Sequence, residues 1–224
     1  MKGEITIQSA IDELQRMFKL LNKIYFSNEL ERPVITILTD NTSGAYGWIS
    51  VNKVWSSKGG GTWFREINLC AEYLNRPPEL VITTLQHEMC HLLNIQRGIQ
   101  DTSRGGTYHN QKFKEVAESR GLLVVKDLKY GYCITKPSDE FIRLVKTKCR
   151  AGCFKLERQK TYKDGTPKVT TTGSDGKEKT ISRTKQATRK YICPGSGCKT
   201  IVRATKEVNI ICGDCNLTMI KSEN

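Results

Sequence analysis

Glu79-Leu-Val-Ile-Thr-Thr-Leu-Gln-His87-Glu-Met-Cys-His91 decides how the rest of the chain is read. Pro77 and Pro78 stand just ahead of it, where a helix's first turn tolerates a missing N–H. From Pro78 to about residue 95, Leu80, Val81, Leu85, Cys90 and Leu92 recur with few polar interruptions, which predicts a long helix buried on most sides. Spacing i, i+4 puts His87 and His91 on one face, about one turn apart, close enough to share a tetrahedral ion. Glu88 adjoins His87 and is placed to act as a general base on water at such an ion. The His-Glu-x-x-His pattern also arises by chance. An unpaired Glu inside so apolar a helix would be costly, however, and that favours a working site.

A catalytic zinc keeps three protein ligands and one open position. The chain has three histidines, so His109 is the remaining imidazole. A glycine-containing polar loop, Gly98 to Gly106, separates it from the pair, and a shorter helix over about 110–119 follows, stopped by Gly121. His109 is the favoured third ligand. Glu115 is the carboxylate alternative, and an ordinary exposed loop histidine is the bland one. The metzincin pattern is excluded, because it needs Gly at 94 and His at 97, where Asn94 and Arg97 stand.

Upstream, Ile11, Leu14, Phe18, Leu21 and Tyr25 predict an amphipathic helix from Ser9 to about residue 26. Val34–Leu38, Ala45–Ser50 and Arg65–Leu69 are strand candidates, the last two separated by the loop Gly59-Gly-Gly61. The expected first domain, residues 1–126, is α+β, with helices packed on a short sheet.

Near the C-terminus, Cys193-Pro-Gly-Ser-Gly-Cys198 and Cys212-Gly-Asp-Cys215 make a C-x4-C … C-x2-C arrangement with thirteen residues between the pairs. Two close pairs at this distance match a four-thiolate structural zinc site, with Ile201–Ala204 and Val208–Ile211 as connecting strands. Residues 188–224 are too few to bury a useful core, so the metal would supply folding energy. Of the other cysteines, Cys149 and Cys153 form a C-x3-C pair without a partner pair and read as structural or incidental. Cys70 and Cys90 read as small core residues, and Cys133 takes no assignment. With no basic n-region and apolar core at Met1 to Ala10, the expectation is a soluble cytoplasmic or nucleoid-associated protein in a reducing compartment, with no membrane span.

The net charge of +13 is unevenly placed. Residues 127–224 carry 21 Lys and Arg against 10 Asp and Glu, and the excess concentrates between Arg143 and Lys190. A basic block beside a ribbon with Tyr191 is the footprint expected for a nucleic-acid partner, single-stranded DNA included. The alternative is a solvated, flexible, lysine-rich segment. Residues 127–187 read as a basic connecting region, either a linker or an exposed hairpin, in which Asp164-Gly165 and Asp175-Gly176 mark turns.

The helical run Glu79–His91 closely resembles the SprT-like family, which includes the eukaryotic Spartan proteases. So do His109 followed by Phe113, Ala117 and Gly121-Leu122, and the segment Arg65-Glu-Ile-Asn-Leu69. The resemblance covers about residues 9–126. Arg189-Lys-Tyr-Ile-Cys193 and Arg203-Ala-Thr-Lys-Glu-Val208 are similar to the ribbons of bacterial or phage members. Two departures are visible: Tyr108-His109-Asn110 where the family more often has Gly-His-Gly, and C-x4-C where its ribbons usually have C-x2-C. The resemblance implies a zincin-like domain with a C-terminal β zinc ribbon. It further implies His87, His91 and His109 as ligands of a catalytic zinc, Glu88 as acid–base, and Cys193, Cys198, Cys212 and Cys215 around a structural zinc. The implied activity is peptide-bond hydrolysis on DNA-associated or DNA-crosslinked proteins. The competing class is a non-catalytic nucleic-acid-binding or transcription-associated zinc protein; an intact Glu88 argues against it, since a scaffold site does not need that carboxylate.

Overall fold

The computed structural model describes residues 6–39, 44–159, 170–172, 178–180 and 188–222. They fall into two compact units, residues 1–160 and 161–224.

The first unit opens with α1 (Ile7–Tyr25), capped by the Thr6 hydroxyl, which accepts from the Ser9 amide. Its apolar stripe, Ala10, Leu14, Met17, Phe18 and Leu21, is buried. The next elements are β1 (Val34–Leu38), β2 (Gly47–Ile49), the small hairpin β3 (Trp55–Ser56) and β4 (Trp63–Phe64), and β5 (Glu66–Cys70). β5 lies between β1, to which it is parallel, and β2, to which it is antiparallel. As the middle strand covered on both faces, β5 is buried at every position. α2 (Pro78–Gln96) begins with Pro78 in its first turn and is the central element. Val81, Ile82, Leu85, Met89, Cys90, Leu92 and Leu93 are fully buried, because α1, β2 and later elements enclose the helix.

Beyond α2 come β6 (Thr102–Ser103), β7 (Tyr108–His109), α3 (Gln111–Ser119), β8 (Leu122–Asp127), β9 (Gly131–Pro137) and α4 (Asp139–Lys148). The four strands form one sheet in the order β6-β7-β9-β8. The α+β class, the amphipathic first helix, the long central helix and the shorter α3 agree with the sequence, while α4 was not expected. The boundary expected at residue 126 is corrected. β9 pairs along β8, and Phe141, Val145 and Phe154 enter the same core as α1 and α2, so the first unit runs on to residue 160. A buried carboxylate fastens this extension. Glu13, 1% exposed, accepts from Arg16 Nε at 2.9 Å and from the Arg150 amide at 2.8 Å. Arg16 in turn donates to the Lys148 carbonyl. Burial pushes the Glu13 carboxyl up, but these donors outweigh it and hold the group below its ordinary 4.5.

In the second unit, β10 (Thr170–Thr172) pairs antiparallel with β11 (Glu178–Thr180). The turn signals Asp164-Gly165 and Asp175-Gly176 lie outside the described residues. β12 (Arg189–Ile192) pairs with both β13 (Ile201–Ala204) and β14 (Ile220–Lys221) around a small core of Tyr191, Cys193, Cys212 and Met219. The strand expected at Val208–Ile211 does not form. Only Ile211 bridges, to Thr218, while the Val208 amide donates to the Tyr191 hydroxyl at 3.2 Å. Among the described residues, no helix is long and apolar enough to cross a membrane.

Candidate metal centre

α2 presents His87 and His91 one turn apart, as its periodicity requires, and β7 brings His109 to them. The three Nε2 atoms form a nearly equilateral triangle: His87 to His109 3.2 Å, His87 to His91 3.2 Å, His91 to His109 3.1 Å. Ligands placed tetrahedrally about 2.0–2.1 Å from zinc stand about 3.3 Å apart, so the triangle matches three corners of that sphere. His91 Nδ1 donates to Asp101 Oδ2 at 2.7 Å, and His87 Nδ1 stands 3.1 Å from Thr135 Oγ1 on β9. With Nδ1 engaged outward, the His87 and His91 rings turn their Nε2 lone pairs inward, towards His109 Nε2. Lone pairs so crowded repel unless a cation sits among them. The donor set fits zinc.

Phe113, fully buried on α3, closes the floor of the triangle, its ring centroid 4.4–4.8 Å from each imidazole. This apolar floor and the mutual proximity of the rings set the protonation states. Burial, reinforced by the neighbouring histidines, puts His87 well below its ordinary value. His109 is brought down to about 4, chiefly by burial. Both are therefore neutral near pH 7 and able to ligate.

Glu88 is 5% exposed. Burial, with Asp101 adding and His91 opposing, pushes its carboxyl up to about 7. β2 passes directly over this part of α2: a Cβ on Gly47 would lie 2.8 Å from Thr84 Cγ2 and 3.3 Å from Glu88 Oε1. Glycine there lets the strand approach the carboxylate. In the β2–β5 ladder, Tyr46 O and Ser50 N bond inward to β5. By the alternation of an antiparallel pair, Gly47 and Ile49 turn their amides and carbonyls to the open edge.

Backbone ties position His109. Its amide donates to the Tyr130 carbonyl, the Asn110 amide donates to the Asp101 carbonyl, and the Asn110 side chain caps α3. Gly131 crosses behind it at φ +70°, where an added Cβ would fall 2.2 Å from the His109 carbonyl oxygen. Glu115, the alternative ligand, is exposed on α3 and pairs with Gln111, outside the cluster. Tyr46 packs against Tyr73 and under the Arg76 guanidinium, and Tyr108 stacks with Arg104. Asp101 and Thr135 carry no signal in the sequence: one lies in a polar loop without periodicity, the other in the basic stretch expected to be a connection.

In the second unit, the Sγ atoms of Cys193, Cys198, Cys212 and Cys215 lie within 4.8 Å of one another, with Cys198 and Cys212 3.9 Å apart. Thiolates around zinc at about 2.3 Å stand about 3.8 Å apart, and the cluster fits that ion. Four thiols this close cannot all ionise without a cation. The Thr200 hydroxyl helps bring Cys198 down to about 6, while Cys198 and Cys193 push Cys215 up to about 12. Gly195 admits the sulfurs, since a Cβ there would come 2.9 Å from Cys215 Sγ. Cys70 and Cys90 are buried in the first unit, and Cys149 lies beside Glu13.

Comparison with curated proteins and with solved structures returned no match. In a comparison with protein families, the model of the SprT-like family matches residues 14–136, from within α1 into β9.

Proposed function

Because this chain belongs to the SprT-like family, we propose that it is a zinc metallopeptidase of the His-Glu-x-x-His type, with a zincin-like catalytic unit. The observation that supports this best is the triangle of Nε2 atoms beside a buried carboxylate. His87, His91 and His109 would hold the ion, and Glu88 is the general base. When bound, zinc lowers the pKa of a coordinated water to about 7 and polarises a carbonyl. Glu88 takes the proton from the attacking water and passes it to the leaving amine, the two transfers a carboxylate beside the ligands can make. The open edge of β2, held beside Glu88 by Gly47, offers backbone donors and acceptors to an extended polypeptide substrate. The four cysteines would hold a second, structural zinc.

The test is metal analysis joined to cleavage of an unfolded protein. The wild type should carry two zinc ions. Glu88→Gln should keep both and lose about 10²–10⁴-fold in rate. His109→Ala should lose one ion, and full retention would remove it from the ligand set.

We further propose that the basic block between Arg143 and Lys190 brings the peptidase to nucleic acid, making DNA-bound proteins its substrates. The support is charge and its placement. Binding to single-stranded DNA should weaken steeply with added salt, and an affinity indifferent to salt would defeat it.

A further inference from the structure

His87 and His91 are ligands of the same type on the same helix, yet their outer nitrogens meet different groups. His87 Nδ1 faces a hydroxyl, Thr135 Oγ1, whereas His91 Nδ1 faces the Asp101 carboxylate at 2.7 Å. Asp101 is 5% exposed, and the same oxygen, Oδ2, also accepts from Asn94 Nδ2 at 2.9 Å. Asn94 is fully buried one turn beyond His91, so the helix itself holds both donors in place. Among the described residues, His91 is the only basic side chain within ion-pair distance of Asp101. A buried carboxylate without Lys or Arg is costly unless positive charge lies close by. A cation on the far side of the His91 ring provides it, because an imidazole that donates through Nδ1 becomes a stronger ligand through Nε2.

The main chain at the same residue serves a second ligand. The Asp101 carbonyl accepts from the Asn110 amide at 2.9 Å, Asn110 Nδ2 donates to the neighbouring Gln100 carbonyl at 3.0 Å, and Thr102 pairs with His109 across β6 and β7. One loop residue therefore grips a helix ligand by its side chain and, by its backbone, Asn110, the residue next to the strand ligand.

We propose that Asp101 is a positioning residue of the metal centre, fixing His91 with Nδ1 protonated and Nε2 aimed at the ion while anchoring the strand that carries His109. The assignment rests on the reading of the three histidines as a zinc site. It makes the two helix ligands unequal: loss of the carboxylate at His91 should cost more affinity than loss of the hydroxyl at His87.

The experiment titrates the zinc-loaded full-length chain with a chromophoric chelator and follows the zinc-free melting temperature of each variant. Asp101→Asn should release the histidine-site ion at about 10–100-fold lower chelator strength, with the cysteine-site ion retained and the zinc-free melting temperature unchanged. Thr135→Val should shift release by a smaller factor. Should Asp101→Asn not fold, Asn94→Ala, which frees one side of the carboxylate, should still weaken the site severalfold, and an unchanged midpoint there overturns the proposal. So does wild-type release in Asp101→Asn, or an affinity loss matched by a lowered zinc-free melting temperature, which would mark Asp101 as a support of the loop alone. A wild-type chain that takes up only the cysteine-site ion would instead overturn the metallopeptidase reading itself.

Discussion

At the scale of single residues, the centre depends as much on missing side chains as on ligands. Gly131 lies at positive φ where an added Cβ would meet the His109 carbonyl, so Gly131→Ala combines left-handed strain with a direct clash. The expected outcome is weaker zinc binding together with a lower melting temperature, since β7 must move away from α2. Calorimetric melting with metal analysis checks it. The convergence of the three histidines was legible because few residue types can hold a metal and because helical spacing is short-range. Asp101, Thr135 and Gly131 were not. A hydrogen bond from a loop to a helix, or a strand crossing behind a ligand, depends on chain reversals that leave no local periodicity.

The elements show the same division. α1, α2 and α3 were readable because each has apolar residues at helical spacing, and Pro78 and Gly121 mark the start of α2 and the end of α3; α1 begins at Ile7 behind a Thr6 cap, ahead of the start expected at Ser9. α4 carries equally plain signals: Ser138 accepts from the Phe141 amide, Asp139 and Glu140 fill the first turn, and Phe141 and Val145 face the core. Its sequence lies inside the stretch 127–187, whose basic composition points to a connection and outweighs those helical signals. The clamp that fastens it yields a pH prediction. Glu13 is held below 4.5 when folded, so its contribution to stability is complete above the unfolded value and is lost as pH falls through the folded one. Glu13→Gln leaves Arg16 and the Arg150 amide without their anion and, with the guanidinium partly in solvent, should cost about 1–2 kcal/mol at neutral pH. Denaturant titrations of both proteins should converge as pH drops below 4.5. A gap that stays constant to low pH would show that the charge contributes nothing.

For the whole molecule, the two units support their candidate metal clusters in different ways. The histidine triangle is built on the most buried helix of a large core, packed by Leu14, Met17, Ile67, Leu85, Met89 and Phe141 among others. The cysteine cluster makes up half of its own small core, with Tyr191 and Met219 as the other buried members. Zinc meeting the first should find its ligands already assembled. Zinc meeting the second must pull an otherwise open chain together, so part of its binding energy goes into folding. The two events should differ in heat capacity. Isothermal titration at several temperatures should give the cysteine site a large negative ΔCp, from apolar surface withdrawn from water, and the histidine site one near zero. The protein would then carry one ion that acts as a removable tool and another that is part of the wall on which it hangs.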